Sequence, residues 1–191
     1  MPFSGEYGIS RNPESFAAES YRLYFTDKDR GAVLRLSRDG ITPISDAGMK
    51  DWFRDNLKLN SDLVGSYDDR QDEYNITLPT TTDSSLPSIL TARTVSFSER
   101  AKGWVSFKSF VPENGISCAN DYYTFKDGNL YKHHDETVDR NTFYSTVGIS
   151  GNYTNSSFTV LINESPGSVK TFHTLNYEGS QSKIDQLVSQ S

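Results

Sequence analysis

Short aromatic and β-branched runs, broken at close intervals by Asp, Gly, Asn and Pro, restrict this chain more than any other feature of its sequence. Tyr21-Arg22-Leu23-Tyr24-Phe25-Thr26 is one such run, and the turn stretch Asp27-Lys28-Asp29-Arg30-Gly31 follows it. Ala32-Val33-Leu34-Arg35-Leu36-Ser37 reads as the return strand, closed by Arg38-Asp39-Gly40. Asp-Gly between apolar runs signals a hairpin, because these residues tolerate the positive φ that tight turns demand. Ile41-Thr42-Pro43-Ile44-Ser45 continues as a third strand, and Pro43, lacking an N–H, places it at a sheet edge.

The same design recurs. Residues 63–67 and 73–78 flank the acidic turn Asp68-Asp69-Arg70-Gln71-Asp72, and 94–98 and 103–110 flank the charged turn from Glu99 to Lys102. Residues 121–126 and 129–134 flank Asp127-Gly128, and 158–163 with 169–177 make a final pair. Trp104 and Phe110 alternate with Val105 and Phe107, so aromatics lie on both faces of that strand and both faces are expected to be covered. One segment has a different period. Met49, Trp52, Phe53 and Leu57 recur at helical spacing, with Ser45 or Asp46 available as a cap, and predict a short helix over 46–57.

This pattern predicts a mainly β fold of antiparallel meander hairpins with one short helix near 46–57. The units 21–45, 63–78, 94–110 and 121–134 resemble degenerate repeats, which suits a partial β-propeller. About ten strands are too few for a complete propeller of four four-stranded blades, so a β-sandwich stays open. A Thr-, Ser- and Pro-rich stretch near 79–92 reads as a loop or linker, 1–180 as a single β-rich domain and 181–191 as a flexible polar tail.

Composition narrows the chemistry. Only 35% of residues are apolar, yet 13% are aromatic, which favours half-buried pleated surfaces. The net charge of −6 argues against specific nucleic-acid binding, which needs clustered Lys and Arg. Cys118 is the only cysteine, so no intrachain disulfide and no Cys-rich zinc site can form. No apolar run of about 18 residues is present to span a membrane as a helix.

Candidate sites are few. His133-His134-Asp135-Glu136 is the best metal candidate, but neighbouring strand residues point to opposite faces, so the two imidazoles are not expected to share an ion. Asp68, Asp69, Asp72 and Glu73 lack the calcium-loop pattern and read as a solvated turn, as do Asp27 and Asp29. Glycosidases need two acids about 5–10 Å apart across a sugar, and here the acids cluster in turns. The turn from Ser98 to Trp104 resembles the Asp-box of sialidases without its central Asp. No nucleophile elbow or phosphate-binding glycine loop occurs. The reading is therefore non-enzymatic, with no catalytic residue, cofactor or metal. Trp104, Tyr122, Tyr123 and Tyr131 are the aromatics singled out for an interface or a glycan, against the plainer reading that most of them are core.

Several segments taken together carry a family resemblance: residues 7–16 (YGISRNPESF), 30–37 (RGAVLRLS), 48–55 (GMKDWFRD), 65–68 (GSYD), 103–107 (GWVSF), 120–125 (NDYYTF) and 175–179 (LNYEG). In this order they resemble large virion structural proteins of marine tailed phages of the cyanophage type. They are also similar to the tail muzzle or nozzle proteins of crAss-like phages and podoviruses, with their propeller-like blades. The resemblance implies a particle component of the tail or neck that works by subunit packing. It would be homo-oligomeric, with other virion proteins as partners, assembled in the host cytoplasm and located in the virion. Proteins of that group are generally longer, so the chain is compatible with being a segment of a larger one. The alternative is a receptor-binding, glycan-binding or glycan-degrading tail domain.

Overall fold

A computed structural model of the chain describes residues 6–9, 11–60, 62–80, 91–144, 152–159, 167–171 and 173–174. The chain divides into two compact units, Met1–Ser156 and Ser157–Ser191. The first holds all the sheets among the described residues.

Sheet 1 is a four-stranded antiparallel meander of β1 (Ala17–Glu19), β2 (Arg22–Asp27), β3 (Ala32–Ser37) and β4 (Gly40–Pro43), in chain order. Sheet 2 repeats that order with β5 (Val64–Asp68), β6 (Glu73–Leu78), β7 (Arg93–Ser98) and β8 (Gly103–Lys108). Sheet 3 has three strands, β9 (Asn114–Cys118), β10 (Asp121–Lys126) and β11 (Asn129–Lys132). A two-stranded pair, β12 (Thr142–Phe143) and β13 (Asn152–Tyr153), follows. The sheets are open meanders, and no barrel closes among the described residues. The mainly β, antiparallel expectation holds.

The first strands of successive sheets lie side by side, β1 against β5 and β5 against β9. Neither β1 nor β9 was expected from sequence. Their residues, Ala17-Ala18-Glu19 and Asn114-Gly115-Ile116-Ser117-Cys118, are small or polar and carry little strand propensity. Packing selects small residues here. A Cβ on Gly65 of β5 would lie 1.9 Å from the Ser15 carbonyl oxygen, and one on Gly115 of β9 would lie 2.9 Å from the Ser66 Cβ.

The helix forms as α1 (Lys50–Leu57), eight residues long. It begins later than residue 46 because a 3-10 turn occupies Ile44–Asp46 and Gly48 adopts φ 84°. So short a helix is marginal alone in water. Burial stabilises it: Phe53 and Leu57 are fully buried in the main core with Tyr24, Val33, Leu63, Tyr74, Ile76, Val95 and Phe97. Trp52 meets Phe53 edge-on at 4.9 Å. Pro43 does end the edge strand β4.

Strand β8 corrects an expectation. Val105 and Phe107 are 44% and 53% exposed, because β8 is itself an edge strand, covered in part where Trp104 meets Phe53 and Phe97 and where Phe107 meets Trp52 edge-on at 5.4 Å. The expected final strand pair falls largely outside the described residues, and its described parts carry no strand. The stretch 81–90 and the tail 181–191 also lie outside them.

Candidate functional site

The chain's chemistry-bearing side chains gather at the two joints between sheets. At the first joint Tyr24 stacks between Tyr67 and Tyr74, with ring centroids 5.4 and 4.9 Å away and nearly parallel planes. Its hydroxyl donates to Glu99 Oε1 at 2.7 Å. Arg35 Nη1 donates to Glu99 Oε2 at 3.0 Å, and Arg22 Nε lies 3.6 Å from the same oxygen. Glu99, from the β7–β8 turn, is thus a buried anion gripping three side chains of sheet 1. Burial and the carboxylate hydrogen bond together push the Tyr24 phenol well above its ordinary pKa, so it stays a donor. Tyr74 is wholly buried and donates to the Ser15 carbonyl at 2.7 Å.

The second joint repeats the device with different partners. Tyr122 of β10 is fully buried, and its hydroxyl lies 2.7 Å from Ser66 Oγ of β5, passing over Gly115. Burial pushes its phenol up to about 12. Around it, the Ser117 hydroxyl donates to the Tyr67 carbonyl at 2.8 Å, and the Asp69 N–H donates to Ser117 Oγ at 3.0 Å. The face of sheet 2 turned to this joint is polar yet buried: Thr77 pairs with Thr94, the Ser96 hydroxyl donates to Asn75, and Ser66 meets Tyr122. Gly65 and Tyr74 at one joint, and Gly115 and Tyr122 at the other, make the same pairing. In each, a first-strand glycine leaves room for a second-strand tyrosine to reach the preceding sheet.

The histidines overturn the expectation that they face opposite sides. β11 ends at Lys132 and His134 takes φ 59°, which breaks strand alternation, so both rings contact Tyr122 and lie 6.2 Å apart. His134 Nε2 pairs with Asp68 Oδ2 at 2.6 Å, joining sheet 3 to the turn of sheet 2. His133 Nε2 lies 2.7 Å from Thr124 Oγ1 in an aromatic pocket with Phe110, and burial, then His134, drives its pKa down to about 4.

Asp29 and Asp69 are exposed as the solvated-turn reading expects, but Asp27, Asp68 and Asp72 are not mere solvated turns. Asp68 is 3% exposed and accepts the N–H groups of Arg70 and Gln71 as well as His134. Asp27 is 4% exposed and accepts from Gly8 and Arg30. Asp72 accepts the Tyr67 hydroxyl. These carboxylates hold loops to sheets and sheets to each other. A sequence signal existed, in that Asp68 precedes two N–H groups in the spacing of an Asx turn. Its burial could not be read. No group of three His, Cys, Asp or Glu able to hold a metal occurs among the described residues, and none of their helices is long and apolar enough to cross a membrane.

The four singled-out aromatics separate. Tyr122 is inside the second joint and unavailable to any ligand. Trp104 packs on Phe53 and donates Nε1–H to the Ile44 carbonyl at 3.0 Å. Tyr123 lies on the outer face of sheet 3, and Tyr131 meets Tyr144 edge-on at 5.0 Å. That tyrosine pair lines a cavity of about 320 Å³ with Lys126, Asp127, Phe143 and Thr154.

Meanders stacked through buried tyrosines and carboxylates, with apolar residues left exposed on sheet 3, make up an antiparallel all-β scaffold. The chain belongs to the Crassvirus muzzle protein family, whose model matches residues 3–128, about two thirds of its length. The match spans sheets 1 and 2 and enters sheet 3 as far as the β10–β11 turn. It bears out the muzzle resemblance drawn from sequence and makes the chain a phage structural protein located in the virion. No curated protein matches it.

Proposed function

We propose that the chain is a wall element at the tail of the particle, part of a muzzle- or nozzle-like assembly, and that it acts by subunit packing without catalysis. The observation that carries this reading is the outer face of sheet 3, where Ile116 and Leu130 are each 57% exposed and Phe125 is 42% exposed. Exposed apolar side chains gathered on one face mark an interaction surface. Family membership supplies the setting, a virion, and the proposed partners are other virion proteins and further copies of the chain. Side-by-side first strands are the order found in propeller blades, which supports a propeller-like wall over a sandwich. The net charge of −6 suits a wall that lets DNA pass without holding it. Immuno-gold labelling of purified virions tests the location: label at the tail is expected, and label confined to the capsid shell would sink the reading.

A second reading has one observation in its favour. The cavity at Tyr131 and Tyr144 pairs two aromatic rings with Lys126 and Asp127, and its 320 Å³ lies at the small end of ligand pockets, suited to a single sugar ring. A host-receptor glycan would bind there and lose affinity in Tyr131→Ala. A glycan panel with no binder removes this reading.

A further inference from the structure

We infer that sheet 3 is an acid-released part of the fold, latched to sheet 2 at His133 and freed when that imidazole takes up a proton, while sheets 1 and 2 stay joined. The two unlike faces of sheet 2 set up this division. Tyr67, Tyr74, Ile76, Val95 and Phe97 turn toward sheet 1 and belong to the main apolar core. Ser66, Asn75, Thr77, Thr94 and Ser96 alternate with them, are equally buried, and form the opposite face, where Ser66 meets Tyr122 of sheet 3. No described residue of sheet 3 belongs to the main core.

Sheet 3 is held instead by hydrogen bonds and one small aromatic cluster. Tyr122 meets Ser66, Ser117 donates to the Tyr67 carbonyl, and His134 pairs with Asp68. Such bonds gain little net free energy over their hydrated, open counterparts, whereas an apolar core forfeits its whole burial on opening. Sheet 3 is therefore the part that opens at least cost.

His133 makes that opening sensitive to acid. Its ring is buried against Phe110 at 4.7 Å, Tyr122 at 5.0 Å and Phe143 at 6.3 Å. The Thr124 hydroxyl, 2.7 Å from Nε2, can donate or accept, so this bond survives protonation and the charge is what the closed joint opposes. Titratable groups approach from each side. They are the Tyr122 phenol on β10, Asp68 on β5, Lys108 on β8 with its partner Glu73 at 2.9 Å, and His134 on the same segment. Asp68 favours a proton on the ring, but it already accepts from His134, Arg70 and Gln71, and Lys108 and His134 oppose one. Opening hydrates the ring and returns its pKa from about 4 toward 6.5, so opening takes up a proton and grows more favourable as pH falls between those values.

Amide hydrogen exchange of the 191-residue chain, read by mass spectrometry near pH 7 and near pH 5 with the intrinsic rates divided out, tests this. Peptides of β9, β10 and β11 should exchange more readily than those of β2, β3, β6 and β7 at both pH values. They should lose about twentyfold of their protection near pH 5, the ratio set by one ring that titrates at 6.5 when open and at about 4 when closed. His133→Gln keeps an amide that can bond Thr124 but has no ring to protonate, and most of the loss should vanish in it. Equal protection in all three sheets, no loss in the wild type, or a loss that persists in His133→Gln overturns the inference. Should the variant not fold, the wild-type ring resonance decides by NMR. A His133 still neutral near pH 5 sustains the latch, and one that titrates near 6.5 in the folded chain overturns it.

Discussion

Gly65 shows how single atoms set this structure. A methyl group there would meet the Ser15 carbonyl oxygen at 1.9 Å, and backbone on both sides leaves little room to yield. Gly65→Ala is expected to cost about 3 kcal/mol or more in urea denaturation, whereas Gly8→Ala, with open space around it, should change little. His133 sets a pH limit by the same logic of burial. Its folded pKa is about 4 against 6.5 for an ordinary histidine, so the unfolded chain binds the proton more readily. Its contribution is complete above pH 6.5 and declines as pH falls toward 4, by up to about 3 kcal/mol. Denaturation midpoints across that range should fall with pH, and His133→Gln should flatten the slope in this window. An unchanged slope would show that His133 is not held neutral. Asp68, His134 and Lys108 act on the same ring, with Asp68 opposing the shift.

At the scale of elements, the sheets are held by a few long reaches. Glu99 leaves the β7–β8 turn to grip Tyr24, Arg22 and Arg35, and its side chain is only 7% exposed. Glu99→Ala would strand the buried Tyr24 phenol and the partly buried guanidinium of Arg35, at a cost of about 2 kcal/mol. A double-mutant cycle with Tyr24→Phe should show coupling, and strict additivity would mean that the clamp contributes nothing. The β9–β10 hairpin carries a cost of its own, because its two turn residues Ala119 and Asn120 adopt φ 51° and 66°. An alanine in the left-handed region loses about 1–2 kcal/mol, so Ala119→Gly should raise stability by about 1 kcal/mol. That turn also explains why β9 was missed. Ala-Asn lacks the glycine that marked Asp127-Gly128, and β9 itself is nearly devoid of β-branched or aromatic residues. The hairpins 22–37 and 121–132 were legible because their turns and their strands agree locally. The joints were not legible, because Glu99, Asp68 and His134 read as ordinary turn polars until their partners, distant in sequence, are known.

For the whole molecule, the packing role proposed for the exposed apolar side chains of sheet 3 predicts behaviour in solution. Association through apolar faces strengthens with excluded salts such as sulfate and is little weakened by sodium chloride. Sedimentation in the two salts should therefore diverge, and dissociation by moderate sodium chloride would point to an ionic interface instead.

The sequence alone determined what depends on neighbours along the chain. The alternation of aromatic runs with turn residues set the antiparallel meanders, and the 3.6-residue spacing of Trp52, Phe53 and Leu57 set the helix. Contacts across long separations belong to the tertiary structure: the glycine–tyrosine joints, the buried carboxylates and the side of sheet 3 that stays open. Local preference acts within a few residues, whereas the value of a small or charged residue depends on what folding brings against it.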